Sequence, residues 1–253
     1  MSIRTVNTNG VAVIEIARPE KKNAITGAMY KAMAEALDAA VADNAVRAVL
    51  ITGQPGIFTS GNDIEDFMQR PPGSTESPAF IFMKALMGCD KPVVAAVTGA
   101  AIGIGTTLLL HCDFVYVSDE ARLAMPFVSL GLVPEFASSL IVPQLMGNAR
   151  AAEKLLLGDP FTGADAVEAG IANAVLPAAE VAPHARRVAE RFNTLPPGAV
   201  RETKKLMRRA RSAAALETIA VEGGIFAARL QSPEAKEAFS AFFQKRKPDF
   251  SKF

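Results

Sequence analysis

Three glycine-bearing turns hold the residues best placed to act on a ligand through their backbone. The first is Phe58-Thr59-Ser60-Gly61-Asn62-Asp63-Ile64. The second is Gly99-Ala100-Ala101-Ile102-Gly103-Ile104-Gly105, and the third is Leu130-Gly131-Leu132-Val133-Pro134-Glu135. Each is expected to follow a strand, and the second and third to run into helices. Glycine at such a point lets the chain turn sharply and approach a ligand with its amide N–H groups outward, and a helix N-terminus adds partial positive charge. The same pattern also fits ordinary strand-to-helix turns, and spacing alone does not separate the two. Better-defined phosphate motifs are excluded. A dinucleotide fingerprint starting at Gly103 would place its third glycine at Leu108, and no Gly-Lys-Ser/Thr sequence occurs. No His, Cys and carboxylate cluster has metal-ligand spacing, so no metal site is expected. His111 lies in an apolar helix and His184 in a polar one, both read as structural. The run Arg201, Lys204, Lys205, Arg208, Arg209 and Arg211 has helical spacing. It reads as a solvated face, or as cations that meet the phosphates of a nucleotide-like ligand.

The elements that must carry these turns are legible from periodicity. Ile3–Val6 and Val11–Ile16 form a hairpin about Asn9-Gly10. Met29, Met33, Ala36, Leu37, Ala40 and Val41 share one face of a helix over 26–43. The runs 47–52, 92–97 and 114–117 are apolar without alternation, as parallel strands covered on both faces are. Residues 69–78, rich in Pro, Ser and Gly, read as an exposed loop. After Pro134 helices dominate, at 137–145, 148–157, 163–169, 178–193, 197–210, 214–229 and 232–244. The outline is an α/β core followed by a helical C-terminal part suited to self-association.

Bulk properties narrow the class. Half of the 253 residues are hydrophobic, and Lys+Arg 27 against Asp+Glu 26 leaves a net charge of +1, which argues against nucleic acid as a partner. The two cysteines, Cys89 and Cys112, form no disulfide framework and fit a reducing compartment. No apolar run reaches the ~18 residues of a membrane span. The first ten residues lack a signal pattern, and the end, Ser251-Lys252-Phe253, is not a peroxisomal address. A cytoplasmic protein without membrane contact is the expectation.

Taken in order, the motifs resemble the enoyl-CoA hydratase/isomerase (crotonase) superfamily. They are Arg18-Pro19 with Asn23-Ala24, Ser60-Gly61-Asn62-Asp63-Ile64, Lys91-Pro92-Val93-Val94-Ala95-Ala96-Val97 ahead of Gly99, and Cys112-Asp113. Gly163-Ala164-Asp165-Ala166, Ala169-Gly170 and Lys245-Arg246-Lys247-Pro248-Asp249-Phe250 complete the series. The resemblance spans nearly the whole chain. It implies an α/β crotonase (ClpP-like) spiral of ββα units over residues 1–195. Residues 196–253 would form a C-terminal helical region that builds a homotrimer or a dimer of trimers and covers the site. It also implies an acyl-CoA thioester as partner, with coenzyme A entering as part of the substrate and no separate cofactor. The oxyanion-hole N–H groups fall on Asn62 and Ile104, and backbone around Ala24, Ser60, Asp63 and Ile64 would meet coenzyme A.

Which reaction the scaffold runs depends on its acid and base groups, since fold alone does not decide it. The two positions where hydratases of this family carry water-activating glutamates are Thr107 and Phe127. A carboxylate reappears at Glu135, within Gly131-Leu132-Val133-Pro134-Glu135-Phe136-Ala137-Ser138-Ser139, which is similar to the Δ3,Δ2-enoyl-CoA isomerase branch. There the aligned glutamate is the catalytic base. A glutamate in the first turn of a helix also has an ordinary explanation, complementing the dipole by roughly 0.3–1 kcal/mol. One carboxylate suffices to move a double bond from C3 to C2, because the proton taken from C2 is returned at C4. Phe127 and Leu132 are acyl-pocket candidates whose apolar surface would raise the Glu135 pKa by desolvation. Only the backbone of Asn62 enters this scheme, so Asn62→Ala should matter little. The rival readings are a hydratase using Glu135 with Asp63 or Glu65, and a non-catalytic acyl-CoA-binding protein.

Overall fold

The computed structural model describes residues 2–69 and 77–253. Strands β1 (Ile3–Thr8) and β2 (Val11–Ile16) pair antiparallel. Asn9 and Gly10 between them, at φ 48° and 70°, make the left-handed pair that a two-residue hairpin turn requires. β2, β3 (Ala48–Thr52), β5 (Val93–Val97), β7 (Phe114–Ser118) and β10 (Ala174–Leu176) then run parallel, giving a six-stranded sheet in the order β1-β2-β3-β5-β7-β10.

Both faces of this sheet are covered, which is why its central strands lack polar alternation. Ala48 and Leu50 of β3 and Val94 and Ala96 of β5 face α8 (Ala178–Glu190), meeting its Val181, Ala185 and Ala189. The intervening Val49, Ile51, Val93, Ala95 and Val97 face the larger core with α1 (Gly27–Ala42) and α3 (Pro78–Gly88). Thr26 caps α1 by accepting the Met29 N–H, and the helix buries Met29, Tyr30, Met33, Leu37 and Ala40. Burying a side chain such as Met33 or Leu37 contributes about 1.5–3 kcal/mol. The residues 70–76 of the expected loop lie outside the described residues; α2 (Ile64–Gln69) ends before them and α3 starts just after.

A second sheet in the order β4-β6-β8-β9 was not foreseen. Its strands, β4 (Ile57–Thr59), β6 (Ala100–Ile102), β8 (Arg122–Ala124) and β9 (Phe161–Thr162), are two or three residues long, too short to show a period. It matters for function because β4 and β6 end directly at the first two glycine turns.

The C-terminal half departs from the expected helix string in several places. The segments 197–210 and 214–229 are one helix, α9 (Pro197–Leu230), since Arg211-Ser212-Ala213 contains no breaker. Residues 148–157 open as α6 (Asn148–Ala152) and close in a π turn, and β10 interrupts the helices. The third glycine turn follows a 3₁₀ turn at Val128–Leu130, where a strand was expected. Helix α5 (Ser138–Met146) starts after Glu135, so the first-turn dipole reading of that residue falls away. The chain ends with α10 (Pro233–Phe243).

The basic run on α9 is only partly a solvated face. Lys204 is buried and donates to Asp113 Oδ2 at 2.5 Å and to the Lys91 carbonyl at 2.6 Å. Arg208 donates to Asp113 Oδ1 at 2.9 Å and to the His111 carbonyl at 2.6 Å, and Arg201 pairs with Asp90. At positions i, i+3 and i+7 these cations fasten α9 across the ends of β5 and β7, while Lys205 pairs with Glu202 in solvent. Lys204 and Arg208 are therefore occupied by the fold itself.

Candidate active site

The first two glycine turns are pressed together by residues with no side chain to spare. Gly61 sits at φ 93°, and a Cβ there would lie 2.9 Å from the Ile102 carbonyl oxygen. A Cβ on Gly105 would lie 2.5 Å from the Thr59 methyl carbon. This close approach brings the Asn62 and Ile104 turns side by side. Gly103, at φ 57° and ψ −119°, reverses the chain so that Ile104 opens the short helix α4 (Ile104–Thr107). Among the described residues neither the Asn62 N–H nor the Ile104 N–H has an acceptor, while their neighbours do: Ser60 N–H reaches Lys22 O, Asp63 N–H reaches Ile25 O, and Gly103 N–H reaches Ala124 O. Two free amides on adjacent turns are what an oxyanion requires.

The Arg18-Pro19 and Asn23-Ala24 motif braces this arrangement from behind. Arg18 Nη1 donates to Asp63 Oδ2 at 2.6 Å and to the Ala24 carbonyl at 3.0 Å. Asn23, buried and in the left-handed region at φ 55°, donates to the carbonyls of Ile57 and Phe58. Asp63 Oδ1 accepts the Asp66 N–H and so holds the start of α2; the Arg18 bond helps keep its carboxyl below the usual range despite the opposing pull of burial. Ala24, Ser60 and Asp63 thus use most of their backbone polar groups inside the fold.

Glu135 is the buried carboxylate nearest in character to an acid–base group. It is 7% exposed, its Oε1 accepts the Thr107 hydroxyl proton, and its Oε2 is buried with no partner. Burial pushes its carboxyl up from 4.5 to about 8; the Thr107 hydrogen bond pulls the other way and the nearby Glu222 charge adds to the rise. Phe136 and Ala137, which follow it, are both left-handed at φ 58° and 57°. Such conformations cost about 1 kcal/mol or more each and persist only when surroundings impose them. Glu222 on α9 does so from one side, accepting Ala137 N–H at 2.7 Å and Ser139 N–H at 3.0 Å. From the other side His111 Nε2 lies 2.8 Å from the Phe136 carbonyl, with its ring stacked 3.9 Å from the Phe136 ring. A carbonyl only accepts, so Nε2 carries the proton. Burial lowers the imidazole pKa to about 3, which keeps it neutral.

Glu135 opens onto a cavity of about 250 Å³ lined by Tyr30, Asn62, Phe80, Met83, Phe136 and the Ile219–Ala227 stretch of α9, among others. A second space of about 300 Å³, sharing Tyr30, Asn62, Phe67 and Ala79, leads past Ile25, Lys31, Asp63 and Asp66. Together they make one path from the first turn to the carboxyl. Among the described lining residues Glu135 is the one carboxylate of the inner cavity. Of the residues expected from sequence, Asn62, Asp63 and Glu135 border this path. Ala24, Ser60, Ile64 and Ile104 lie in the adjoining turns and helix starts without lining it. Phe127 and Leu132 are buried but do not line the cavity; Phe127 packs edge-on behind Phe226, with centroids 6.5 Å apart, and so shapes the wall indirectly. Sequence reading missed Tyr30, whose hydroxyl donates to Asn62 Oδ1, and so missed a side-chain role for Asn62. It also missed Glu222. Tyr30 had a signal, a lone phenol on an otherwise aliphatic helix face, whereas Glu222 looks like any surface glutamate.

Among the described residues no group of His, Cys, Asp and Glu can hold a metal ion, and no helix is long and apolar enough to cross a membrane. Comparison with known proteins places the chain in a family. A profile of the enoyl-CoA hydratase/isomerase family matches residues 6–252. The human protein named enoyl-CoA delta isomerase 2 is 34% identical over 245 residues, which cover 94% of this chain and 62% of that one. The chain thus spans less than two thirds of that relative. Escherichia coli 2,3-dehydroadipyl-CoA hydratase is 29% identical over 241 residues, covering 95% and 94%. The solved structure of Pseudomonas aeruginosa OdaA superposes with a TM-score of 0.94 at 55% identity, over 95% of this chain and 98% of that one.

Proposed function

The chain belongs to the enoyl-CoA hydratase/isomerase family, with the crotonase fold, and on that premise we propose that it isomerises 3-enoyl-CoA to 2-enoyl-CoA with Glu135 as the single acid–base group. The observation that carries this reading is Glu135 itself, whose Oε2 is buried without a partner and which lines an apolar cavity whose described lining holds no second carboxylate. Hydration needs a water held and activated between two groups, whereas double-bond migration needs one base that keeps its proton.

The thioester carbonyl oxygen takes the Asn62 and Ile104 N–H groups. Ionised Oε2 of Glu135 removes a proton from C2, and the electrons delocalise through C2, C1 and the carbonyl oxygen as a dienolate. The two amides stabilise that charge, a contribution of typically ~10²–10³ in rate per donor. Glu135 then returns the same proton to C4, leaving the double bond between C2 and C3. Atoms and charge balance without water. A carboxyl near 8 is better matched to a weak carbon acid than one at 4.5, and the aromatic wall of Phe67, Phe80, Phe136 and Phe226 excludes the water that would add to the product.

The outer space beside Ile25, Lys31 and Asp63 suits the coenzyme A moiety, with Ala24, Ser60 and Ile64 in the turn and helix start that adjoin it. Exposed Leu206, Met207, Phe242 and Phe253 on the C-terminal segment support assembly into a trimer or dimer of trimers. The test is incubation with 3-hexenoyl-CoA, following conjugation by ultraviolet absorbance and mass, beside a parallel reaction from 2-hexenoyl-CoA. Rapid conjugation without a mass change is expected. Addition of water to the 2-enoyl substrate with little conjugation would overturn the assignment.

A further inference from the structure

Helix α9 crosses the cavity with Ile219, Ala220, Gly223, Gly224, Phe226 and Ala227 on its inner side. The adjacent glycines are the anomaly. Glycine is the poorest helix former apart from proline, and in the interior of a helix it is ordinarily kept for a close packing contact or a left-handed turn. Neither applies. No positive φ is found at Gly223 or Gly224, and a Cβ at either would meet nothing within 4 Å. Gly61, Gly105 and Gly131 differ, since a Cβ at each would strike its own chain at 2.9 Å or less. Both glycines are exposed on α9 and border the same cavity that Glu135 lines, so the space kept open beside them is continuous with the mouth of that cavity.

Resting on the acyl-CoA reading above, we infer that Gly223 and Gly224 are specificity-determining positions that leave room along α9 for the chain of a medium- or long-chain acyl thioester. The stretch from Ile219 to Ala227 rises about 12 Å at ~1.5 Å per residue, the span of a chain on the order of eight to ten carbons. Phe226 and Phe136 flank the reacting end, and the Ala220-Gly223-Gly224-Ala227 stripe lets the distal methylenes lie against the helix backbone. Side chains at the glycines would narrow the path beyond the reacting carbons and leave the oxyanion turns and Glu135 untouched.

The protein and its G223A and G224L variants are titrated with hexanoyl-CoA and dodecanoyl-CoA by calorimetry, with oligomeric state measured by sedimentation. G223A keeps α9 helical and is expected to raise the melting temperature by a few degrees. G224L fills the space. Both variants are expected to bind hexanoyl-CoA within about twofold of the parent, and G224L to bind dodecanoyl-CoA at least ~10-fold more weakly. Equal affinities of parent and variants for both ligands, or equal losses on both, would overturn the inference while leaving the acyl-CoA reading in place. A variant that changes its oligomeric state with chain-length selectivity intact would also overturn it, assigning the glycines to contact with a second copy. A parent protein that binds neither thioester would refute the acyl-CoA reading itself, and this inference with it.

Discussion

Replacing Glu135 by Gln separates the chemical role of the carboxyl from its effect on stability. Burial holds it at about 8 against an ordinary 4.5. Between those values the folded protein keeps a proton that the unfolded chain has released. The stability linked to this group is therefore complete below the unfolded value and is lost as pH rises through the folded one. Integrating that linkage from about pH 6 to about pH 9 gives a loss of roughly 2–3 kcal/mol. The residue's near-complete burial leaves little solvent screening to reduce it. Gln is nearly the same shape, still accepts the Thr107 hydroxyl proton and never ionises. The melting-temperature difference, variant minus parent, should thus grow by roughly 4–12 °C over that range, at ~2–4 °C per kcal/mol for a chain of this size. Thermal unfolding of both proteins across a pH series measures it directly. In the conjugation assay the variant should be inactive at every pH, while parent kcat/KM climbs about tenfold per pH unit until roughly pH 8 and then levels. A difference in melting temperature that stays constant with pH would refute the buried-carboxyl reasoning, and turnover by the variant would refute Glu135 as the base.

Three further outcomes follow from the surroundings of that carboxyl. Tyr30→Phe removes the hydroxyl that holds Asn62 and should lower kcat roughly 10-fold, less than the ~10²–10³ of losing an oxyanion donor outright; unchanged steady-state kinetics would show that Asn62 needs no such support. Gly61→Ala places a Cβ 2.9 Å from the Ile102 carbonyl at φ 93°, which should cost about 1–3 kcal/mol in urea unfolding and roughly 10²-fold in kcat by parting the two turns. Glu222→Gln weakens the acceptor for Ala137 and Ser139, costing about 1–3 kcal/mol. Because the Glu222 charge also raises the Glu135 carboxyl, the acid limb of the pH–rate profile should move to lower pH, a shift that lost folding alone would not produce.

Strands β3, β5 and β7 were legible because they are apolar without alternation, with Gly53 and Gly99 closing the first two, whereas the short, half-buried β10 carries no such signal. Helix α1 and the Asn9-Gly10 turn were legible too, their chemistry being local. The small sheet was not, since strands as short as Phe161–Thr162 hold no period and are fixed by neighbours far along the chain. The join within α9 was not expected, although no Gly or Pro stands between 210 and 214 to break the helix. In the site, the glycine turns and Glu135 were found through ordered motifs. Their supports were not: Tyr30 and Glu222 reach Asn62 and Ala137 across 32 and 85 residues of chain. Phe127 and Leu132 failed the other way, being apolar and near Glu135 in sequence yet turned into the core behind the cavity wall.

Thr107 bears directly on the Glu135 carboxyl. Read as sequence, it marks only the absence of a water-activating carboxylate. In the fold its hydroxyl is buried at the end of α4, one turn from the Ile104 amide, and it donates to Glu135 Oε1. That bond decides which of the two carboxylate oxygens is free to act. With Oε1 engaged, Oε2 is left buried without a partner. A second carboxylate at position 107 would instead repel Glu135, raise its pKa further and invite a water between the two. A hydroxyl orients the base and supplies no competing charge. The same α4 turn thus carries both the Ile104 amide and the Thr107 hydroxyl, so on the proposed mechanism the separation of oxyanion and proton acceptor is set within one helical turn.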